Sequence, residues 1–163
     1  MTEKHYNELV SLHADNVFRF VVKNIRHTED ARDIVQTAYE KLWVNREKVD
    51  LIRAKSWLFT VAYHALIDYH RKSGRMSYSE NLPEQETASL YGNKALQEQL
   101  HSALSQLNEV QRSLVLLKDY EGYSYEEIGQ ITGLQESQVK VYLHRARQKL
   151  RALLVSSEQV FDR

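Results

Sequence analysis

Apolar side chains recur every three to four residues in two long stretches of the chain, with a polar stretch between them. In the first stretch this spacing predicts three helices, over residues 3–26, from Thr28, and over residues 54–73. Helical spacing resumes at Asn93, and Asn108 is the predicted N-cap of the following helix. Alternating runs with hairpin signals are missing. The pattern therefore predicts an all-α fold made of two small helical domains.

The connector between the two stretches sets the expected domain boundaries. Residues 76–92 include the only proline of the chain and few large apolar side chains, which is typical of a flexible linker. Gly74 stands where a glycine commonly ends a helix. We therefore expect a first domain over residues 1–75, a second over residues 93–155, and a tail over residues 156–163.

Residues 121–150 contain the most informative local signals. Ser124 and Glu127 have the spacing of a capping box, in which each side chain accepts a hydrogen bond from the other residue's backbone. A short helix over residues 125–132 follows. Gly133 then supplies a left-handed turn, and a second helix starts near Glu136. This succession predicts a helix-turn-helix, whose second helix enters the DNA major groove.

The second helix of this motif separates an apolar stripe from a basic edge. Lys140, His144 and Arg147 share one side of the helix, and Arg145 flanks them. Two interpretations are open for such an edge. Charged helix faces are often only solvated, whereas Lys and Arg also bind phosphates and guanine edges. The capped helix and glycine turn before it favour DNA binding.

Composition narrows the functional class. Twenty-two basic and 22 acidic residues give a formal net charge of zero, so DNA contact requires a local basic surface or a partner. The chain has no cysteine, which excludes disulfides, thiolate zinc sites and cysteine nucleophiles. Its N-terminus lacks signal-peptide character, and no apolar stretch nears the roughly 20 residues of a membrane span. We expect a cytoplasmic protein without membrane insertion.

Motifs for catalysis or metal binding are weak or missing. Ser137 and Lys140 have the spacing of the first element of penicillin-recognising serine enzymes, but the accompanying elements are absent. The seven histidines include no pair four residues apart, and no glycine-rich phosphate loop is present. We therefore expect no enzyme activity, no catalytic residue, no metal and no cofactor.

Three segments resemble those of bacterial extracytoplasmic-function (ECF, group IV) RNA polymerase sigma factors. GYSYEEIGQITGLQESQVKVYLHRARQKL, residues 122–150, resembles their region 4 module. DARDIVQTAYEKLW, residues 30–43, resembles the polymerase-clamp-binding helix of region 2, and SWLFTVAYHALIDYHRKSGR, residues 56–75, resembles the minus-ten helix. The resemblance implies a transcription initiation factor with a region 2 helix bundle and a region 4 helix-turn-helix domain. Such a factor recognises minus-thirty-five and minus-ten promoter elements and promotes DNA opening.

The resemblance also implies partners: core RNA polymerase through its β′ clamp and β flap, promoter DNA, and an anti-sigma factor. The residues matched to clamp binding are Asp33, Gln36, Thr37, Glu40 and Trp43. A helix-spaced aromatic residue such as Trp43 is also typical of a core position.

For DNA, the resemblance implies one set of residues in each domain. The minus-ten set is Lys55, Thr60, Tyr63, His64, Ile67 and Arg71, with most of its members placed away from the core side of the third helix. The minus-thirty-five set is Ser137, Gln138, Lys140, Val141, His144, Arg145 and Arg147. Tyr63 and His64 replace the Arg-Asn pair that family members often have, and His64 fits a surface histidine equally well. Val141 replaces a serine and has a shape that suits a thymine methyl.

Two other functions remain open from the sequence. A free-standing helix-turn-helix regulator normally dimerises on a palindrome, but it has no need of the helix over residues 30–43. A purely structural helical protein predicts that changing Lys140, His144 and Arg147 to alanine leaves DNA-dependent output intact.

Overall fold

The computed structural model describes residues 1–73 and 94–161, and both parts are built from helices. The helices are α1 (Glu3–Ile25), α2 (Thr28–Val44), α3 (Ala54–Ser73), α4 (Lys94–Ser105), α5 (Glu109–Val115), α6 (Tyr125–Thr132) and α7 (Glu136–Phe161). A π-helical segment, Leu116–Tyr120, continues α5. The predicted all-α fold of two helical domains is confirmed. The predicted linker over residues 76–92 and the predicted helix end at Gly74 lie outside the described residues.

Local sequence determines where several helices begin and end. Asn108 and Gln111 form a capping box, with the Gln111 N–H donating to Asn108 Oδ1 at 2.8 Å. Ser124 and Glu127 form another, at 3.1 and 3.0 Å. Gly133 ends α6 in the left-handed region with φ of 80°. Each N-cap side chain contributes about 1 kcal/mol, and the predicted caps are confirmed.

Helices α1, α2 and α3 pack around the core of domain one. Its largest fully buried side chains are Phe20, Leu42, Leu58, Phe59 and Leu66. Burial of one such side chain stabilises the fold by roughly 1.5–3 kcal/mol. This bundle holds the solvent-facing sides of α2 and α3 in fixed positions.

Helices α4 to α7 form domain two, in which the helix-turn-helix of α6 and α7 packs on α4 and α5. Leu114, Ile128, Ile131 and Leu143 are fully buried at its centre. The buried Arg112 donates through Nη1 to the carbonyl of Leu107 at 3.1 Å, which fastens the end of α4 to α5. In the described residues, no helix combines the length and apolar character of a membrane span.

The two domains also contact each other, with α6 against α3 and α5 against α1. The Phe59 ring lies 5.4 Å from the ring of Phe20 in its own domain and 5.4 Å from that of Tyr123 in domain two. All three side chains are buried. One apolar core therefore continues from domain one into domain two.

Candidate functional site

Helix α7 has a buried apolar side and an exposed basic edge, as predicted. Val139, Leu143 and Ala146 are buried against domain two. Lys140 and Arg145 are exposed to solvent. They share this edge with the exposed Ser137, Val141 and His144. The edge therefore presents positive charge, and Val141, 45% exposed, adds an apolar contact to it.

Two residues of the predicted minus-thirty-five set are already engaged inside domain two. Arg147 forms a two-pronged ion pair with Asp119, in which Nε donates to Oδ2 at 3.2 Å and Nη2 to Oδ1. The hydrogen bonds that Arg147 donates to Asp119 raise the pKa of Arg147 above its ordinary value. Gln138 accepts a hydrogen bond from the Gln135 N–H at 2.9 Å, so it caps the start of α7. Both side chains therefore have partners within domain two.

Tyr125, at the start of α6, contacts two lysines, of which the sequence analysis identified Lys140 but not Lys118. Lys118 Nζ lies 4.6 Å and Lys140 Nζ 5.5 Å from the centre of its ring. Cations near an aromatic face are held by its quadrupole, and each such contact contributes about 0.5–1 kcal/mol at exposed sites. Because Lys118 and Lys140 are 22 residues apart, no local spacing in the sequence signals this cluster.

The predicted clamp-binding face of α2 is open to solvent. Asp33, Gln36, Thr37 and Glu40 are all exposed. Gln36 donates to Glu40 Oε1 at 3.2 Å, one turn along the helix. The four side chains form a continuous polar surface because they recur at helical spacing.

Trp43, at the end of the same helix, is partly packed and partly open. Its ring meets that of Tyr6 edge-on at 4.9 Å, the Arg46 guanidinium lies 4.0 Å above it, and 36% of the residue is exposed. Val44 and Ile52 are exposed nearby in sequence, Ile52 to 95%. Large apolar side chains in the open mark contact surfaces for partners when they cluster.

The predicted minus-ten residues have different surroundings along α3. His64 and Arg71 are exposed, whereas Lys55, Thr60 and Ile67 are half-buried. The prediction that Tyr63 faces away from the core is wrong in this structure, because only 5% of it is exposed. Tyr63 lies one turn beyond the fully buried Phe59 on the same side of α3, and burial raises its pKa.

Two histidines lie where the domains meet, the buried His101 and the half-buried His70. Burial, with Lys23 and Arg26 nearby, lowers the pKa of His101 to about 4. Burial and the nearby Arg112 also lower the pKa of His70. The part of the chain that the structure describes has no group of three His, Cys, Asp or Glu side chains positioned for a metal ion.

Comparison with known proteins identifies the family. The sequence family described as Sigma-70 region 2 matches residues 9–76, and that described as Sigma-70, region 4 matches residues 97–150. SigL of Mycobacterium tuberculosis, an ECF RNA polymerase sigma factor, is 33% identical over 151 residues, which cover 87% of this chain and 84% of SigL. The chain belongs to the ECF sigma factor family. ECF sigma factors are transcription initiation factors and are not enzymes.

Two further relatives of this sigma factor extend the comparison. SigE of Mycolicibacterium smegmatis is 31% identical over 158 residues, covering 91% of this chain, which spans 61% of SigE. The co-crystal structure of the sigma factor RpoE with the anti-sigma factor NepR, from Bartonella quintana, has a TM-score of 0.81 and 26% identity. That match covers 93% of this chain and 97% of RpoE, so the likeness extends over both domains.

Proposed function

We propose that this sigma factor binds core RNA polymerase, recognises a minus-thirty-five element through domain two and a minus-ten element through domain one, and promotes opening of the duplex. The exposed basic edge of α7, which follows a capped helix and a glycine turn, carries the proposal. An α-helix about 10–12 Å wide fits the B-DNA major groove, which is about 12 Å wide.

At the minus-thirty-five element, different residues of α7 contact different parts of the DNA. Lys140 and Arg145 bind phosphates or guanine edges, and Val141 contacts a thymine methyl. The remaining predicted residues of the set, Ser137, Gln138, His144 and Arg147, line the same side of the helix. Lys118 joins the phosphate contacts, because the Tyr125 ring holds it close to Lys140.

Polymerase binding is assigned to the exposed polar face of α2. Asp33, Gln36, Thr37 and Glu40 supply polar contacts to the β′ clamp, and Trp43 supplies apolar area. Protein interfaces combine an apolar centre enriched in aromatic residues with a polar rim, and this face has both parts. Domain two binds the β flap in the same complex, and the site of action is the cytoplasm, where polymerase works.

On the minus-ten element, α3 and the loop before it receive an unstacked base of the non-template strand. His64 and Ile67 line that site, and the buried Tyr63 ring packs edge-on against the His64 ring. Lys55 and Arg71 bind phosphates, and Thr60 supplies a hydroxyl. Flipping a base out of the stack costs a few kcal/mol of free energy, and stacking of that base on an aromatic ring contributes about 1–3 kcal/mol to binding. Binding of the unstacked form is what promotes opening.

An anti-sigma factor is the proposed regulator, covering the exposed faces of α2 and α7. RpoE, which resembles this chain, has been crystallised with the anti-sigma factor NepR. The exposed apolar residues Trp43, Val44 and Val141 support the proposal, since a partner would remove them from water. Isolation of the chain from its own cells at native expression level tests the idea. A stoichiometric protein that dissociates when Trp43 and Val141 are changed is expected, and a chain that is always free contradicts it.

Run-off transcription with purified core polymerase tests the proposed function. Transcripts sequenced after overexpression supply the promoters, and the expected result is a start site that depends on this chain. Lys140→Ala with Arg145→Ala is expected to lower output by about tenfold or more, since each good base contact contributes about 1–3 kcal/mol. Lys4→Ala, an exposed lysine on α1, is the matched control.

Two outcomes contradict the proposal. Tight palindrome binding without polymerase, and no promoter-specific transcript from any target, would identify a free-standing regulator. If the alanine changes leave transcription unchanged, α7 does not recognise DNA, which is the result expected of a purely structural protein.

A further inference from the structure

Three polar side chains follow one another along a single side of α3, at intervals of four residues. They are Ser56, Thr60 and His64, and we call them the α3 polar row. His64 is exposed to solvent, whereas Ser56 and Thr60 are half-buried. The row spans about 12 Å, because an α-helix rises about 1.5 Å per residue.

Each side chain of the row makes a hydrogen bond to a backbone carbonyl of the preceding turn. Ser56 Oγ donates to the Arg53 carbonyl at 3.1 Å, and Thr60 Oγ1 donates to the Ser56 carbonyl at 2.9 Å. His64 Nδ1 lies 2.7 Å from the Thr60 carbonyl oxygen. Because a carbonyl oxygen only accepts, this contact places the hydrogen of the neutral imidazole on Nδ1.

These hydrogen bonds leave the α3 polar row with acceptors for any further partner. A neutral imidazole has one donor nitrogen and one acceptor nitrogen, so the Nδ1–H of His64 makes its Nε2 the acceptor. A serine or threonine hydroxyl has a single hydrogen, and once that hydrogen is donated the oxygen offers only lone pairs. The row therefore attracts hydrogen-bond donors and repels other acceptors.

The imidazole of His64 is held in this orientation from two sides. Besides the contact at Nδ1, the buried Tyr63 ring meets it edge-on, with the ring centroids 5.5 Å apart and the planes at 81°. Aromatic pairs prefer such edge-to-face geometry. Turning the imidazole over would place a carbon atom against the Thr60 carbonyl and lose the hydrogen bond. The fixed ring keeps Nε2 as an acceptor on an exposed side chain.

Positive charge lies at the two ends of α3 and not within the row. Lys55 lies in the first turn of the helix and Arg71 in the last. Asp68, one turn after His64, adds an exposed carboxylate, which accepts from Arg71 Nη2 at 3.0 Å. Cations at the ends suit phosphates, whereas acceptors between them repel phosphates. The α3 polar row is therefore suited to the bases of a strand and not to its backbone.

Adenine and cytosine carry the chemical group that matches an acceptor. Each has an exocyclic amino group at the position where guanine and thymine have a carbonyl oxygen. An acceptor opposite this position attracts the amino group and repels the carbonyl oxygen. A base that has left the stack is read by hydrogen bonds to its Watson–Crick edge, on which this group lies.

We infer that the α3 polar row selects an unstacked adenine or cytosine in the minus-ten element. His64 Nε2 accepts a hydrogen bond from the exocyclic amino group, and Thr60 Oγ1 offers a second acceptor one turn away. The inference rests on the proposed function, because that function places the unstacked base on α3. It adds the chemical class of the base and the direction of the hydrogen bond that reads it.

Removal of a single amino group from the DNA tests this selection. The probe is the fluorescent non-template strand of a promoter found by transcript sequencing, and it is titrated with holoenzyme at about pH 8, where an imidazole is neutral. Each adenine or cytosine of the minus-ten element is replaced in turn by an analogue that lacks only the amino group, purine or pyrimidinone. At one position the replacement is expected to weaken binding by about three- to tenfold, the usual effect of one lost hydrogen bond. Equal binding of all the strands overturns the inference.

A double-mutant cycle assigns the lost hydrogen bond to the protein. His64→Phe keeps an aromatic ring without either nitrogen, so removal of the amino group is expected to have no further effect in this variant. His5→Phe makes the same change at a half-buried histidine on α1 and is expected to retain the full effect. Thr60→Val is expected to reduce the effect, and Thr60→Ser, which keeps the hydroxyl, is expected to retain it. An effect that neither His64→Phe nor Thr60→Val reduces overturns the inference.

The identity of the preferred base separates base selection from the proposed function. Promoter-specific transcription with guanine or thymine preferred at the position that His64→Phe alters overturns the acceptor role and leaves the proposed function standing. Absence of promoter-specific transcription from any target overturns the proposed function, and this inference with it. Circular dichroism of the variants identifies any that has lost its helices, and the exposed position of His64 leads us to expect none.

Discussion

Lys140 and Arg147 lie two turns apart on α7, and their surroundings differ. Lys140 is exposed and forms an ion pair with Glu136 Oε1 at 3.4 Å, one turn before it on α7. Arg147 is fixed by the two-pronged contact with Asp119 from the π-helical segment. A fixed guanidinium supports the packing of α7 on domain two, whereas an exposed ammonium in a weak surface ion pair exchanges its carboxylate partner for a phosphate at little cost.

Alanine substitutions should therefore separate stability from DNA binding. Arg147→Ala is expected to lower the free energy of unfolding by about 0.5–1 kcal/mol, the range of a partly exposed ion pair. Lys140→Ala is expected to change the free energy of unfolding by less than about 0.5 kcal/mol. It is also expected to weaken promoter binding and to reduce the slope of the log binding constant against the log salt concentration by about one. Urea unfolding and holoenzyme binding at several salt concentrations check both. Equal losses of stability would contradict the distinction.

For single residues, the sequence predicts which side of a helix a residue occupies better than it predicts which distant residue that side chain contacts. The spacing of Val139, Leu143 and Ala146 correctly predicted the buried stripe of α7. Asp119 was not predicted to hold Arg147, because the pair is 28 residues apart in sequence. Tyr63 was placed on the wrong side of α3, because packing next to Phe59 depends on the other helices around it.

Among the elements, α6 depends most on its ends. It has only eight residues, and isolated helices shorter than about 12–15 residues are marginal in water. Its capping box and the left-handed Gly133 satisfy backbone groups that so short a helix leaves open. The caps therefore stabilise both ends of α6.

Removal of the cap is expected to weaken domain two. Ser124→Ala should lower the free energy of unfolding by about 1 kcal/mol, because the Glu127 N–H loses its acceptor. Ser102→Ala, at an exposed position inside α4, is the matched control and should change it by less than about 0.5 kcal/mol. Denaturant unfolding followed by circular dichroism measures both values. Equal effects would show that the serine hydroxyl has no capping role.

The end of α2 offers a second test at the level of elements. Trp43→Ala is expected to weaken binding to core polymerase by about tenfold or more, since aromatic residues often dominate interfaces. Tyr6→Phe keeps the ring that contacts Trp43 and removes only the hydrogen bond to the Tyr39 carbonyl, so it should leave the affinity for core polymerase unchanged. Fluorescence titration with core polymerase measures the affinities. If the Trp43 variant binds core polymerase with unchanged affinity, Trp43 is not part of the proposed contact surface.

Helix ends and helix faces were predictable because they depend on neighbours within four residues. Asn108, Ser124 and Gly133 act within one turn of the backbone, and all three were identified from the sequence. The contact between α3 and α6 was not predicted, because it joins residues such as Phe59 and Tyr123 that no local period relates. The arrangement of the domains belongs to tertiary packing.

For the whole molecule, the contact between the domains makes stability depend on pH. The pKa of His101 is lowered to about 4 by burial, with Lys23 and Arg26 of domain one nearby. The unfolded chain binds this proton more readily than the folded chain does. His101 therefore contributes its full stability above about pH 6.5 and loses it progressively as the pH falls towards about 4.

Replacement of the titrating group tests this dependence. His101→Gln is expected to reduce the loss of unfolding free energy between about pH 6.5 and pH 5, where ordinary carboxylates remain ionised. His144→Gln, at an exposed position, should leave the pH profile unchanged. Thermal and urea unfolding across this range measure the slope. An identical slope in wild type and His101→Gln would contradict the assignment, and the lowered pKa values of His70 and His13 account for a residual slope.

The π-helical segment Leu116–Tyr120 makes this part of the chain intolerant of length changes. The Glu121 N–H donates to the Leu116 carbonyl at 3.0 Å, so this turn contains one residue more than an α-helical turn. Deleting one residue would restore an ordinary α-helical turn, and it would displace the side chains that lie inside this turn. Asp119 would then no longer face Arg147, and Glu121 would no longer face Arg19. Descendants of this sequence can substitute residues here more readily than they can insert or delete one.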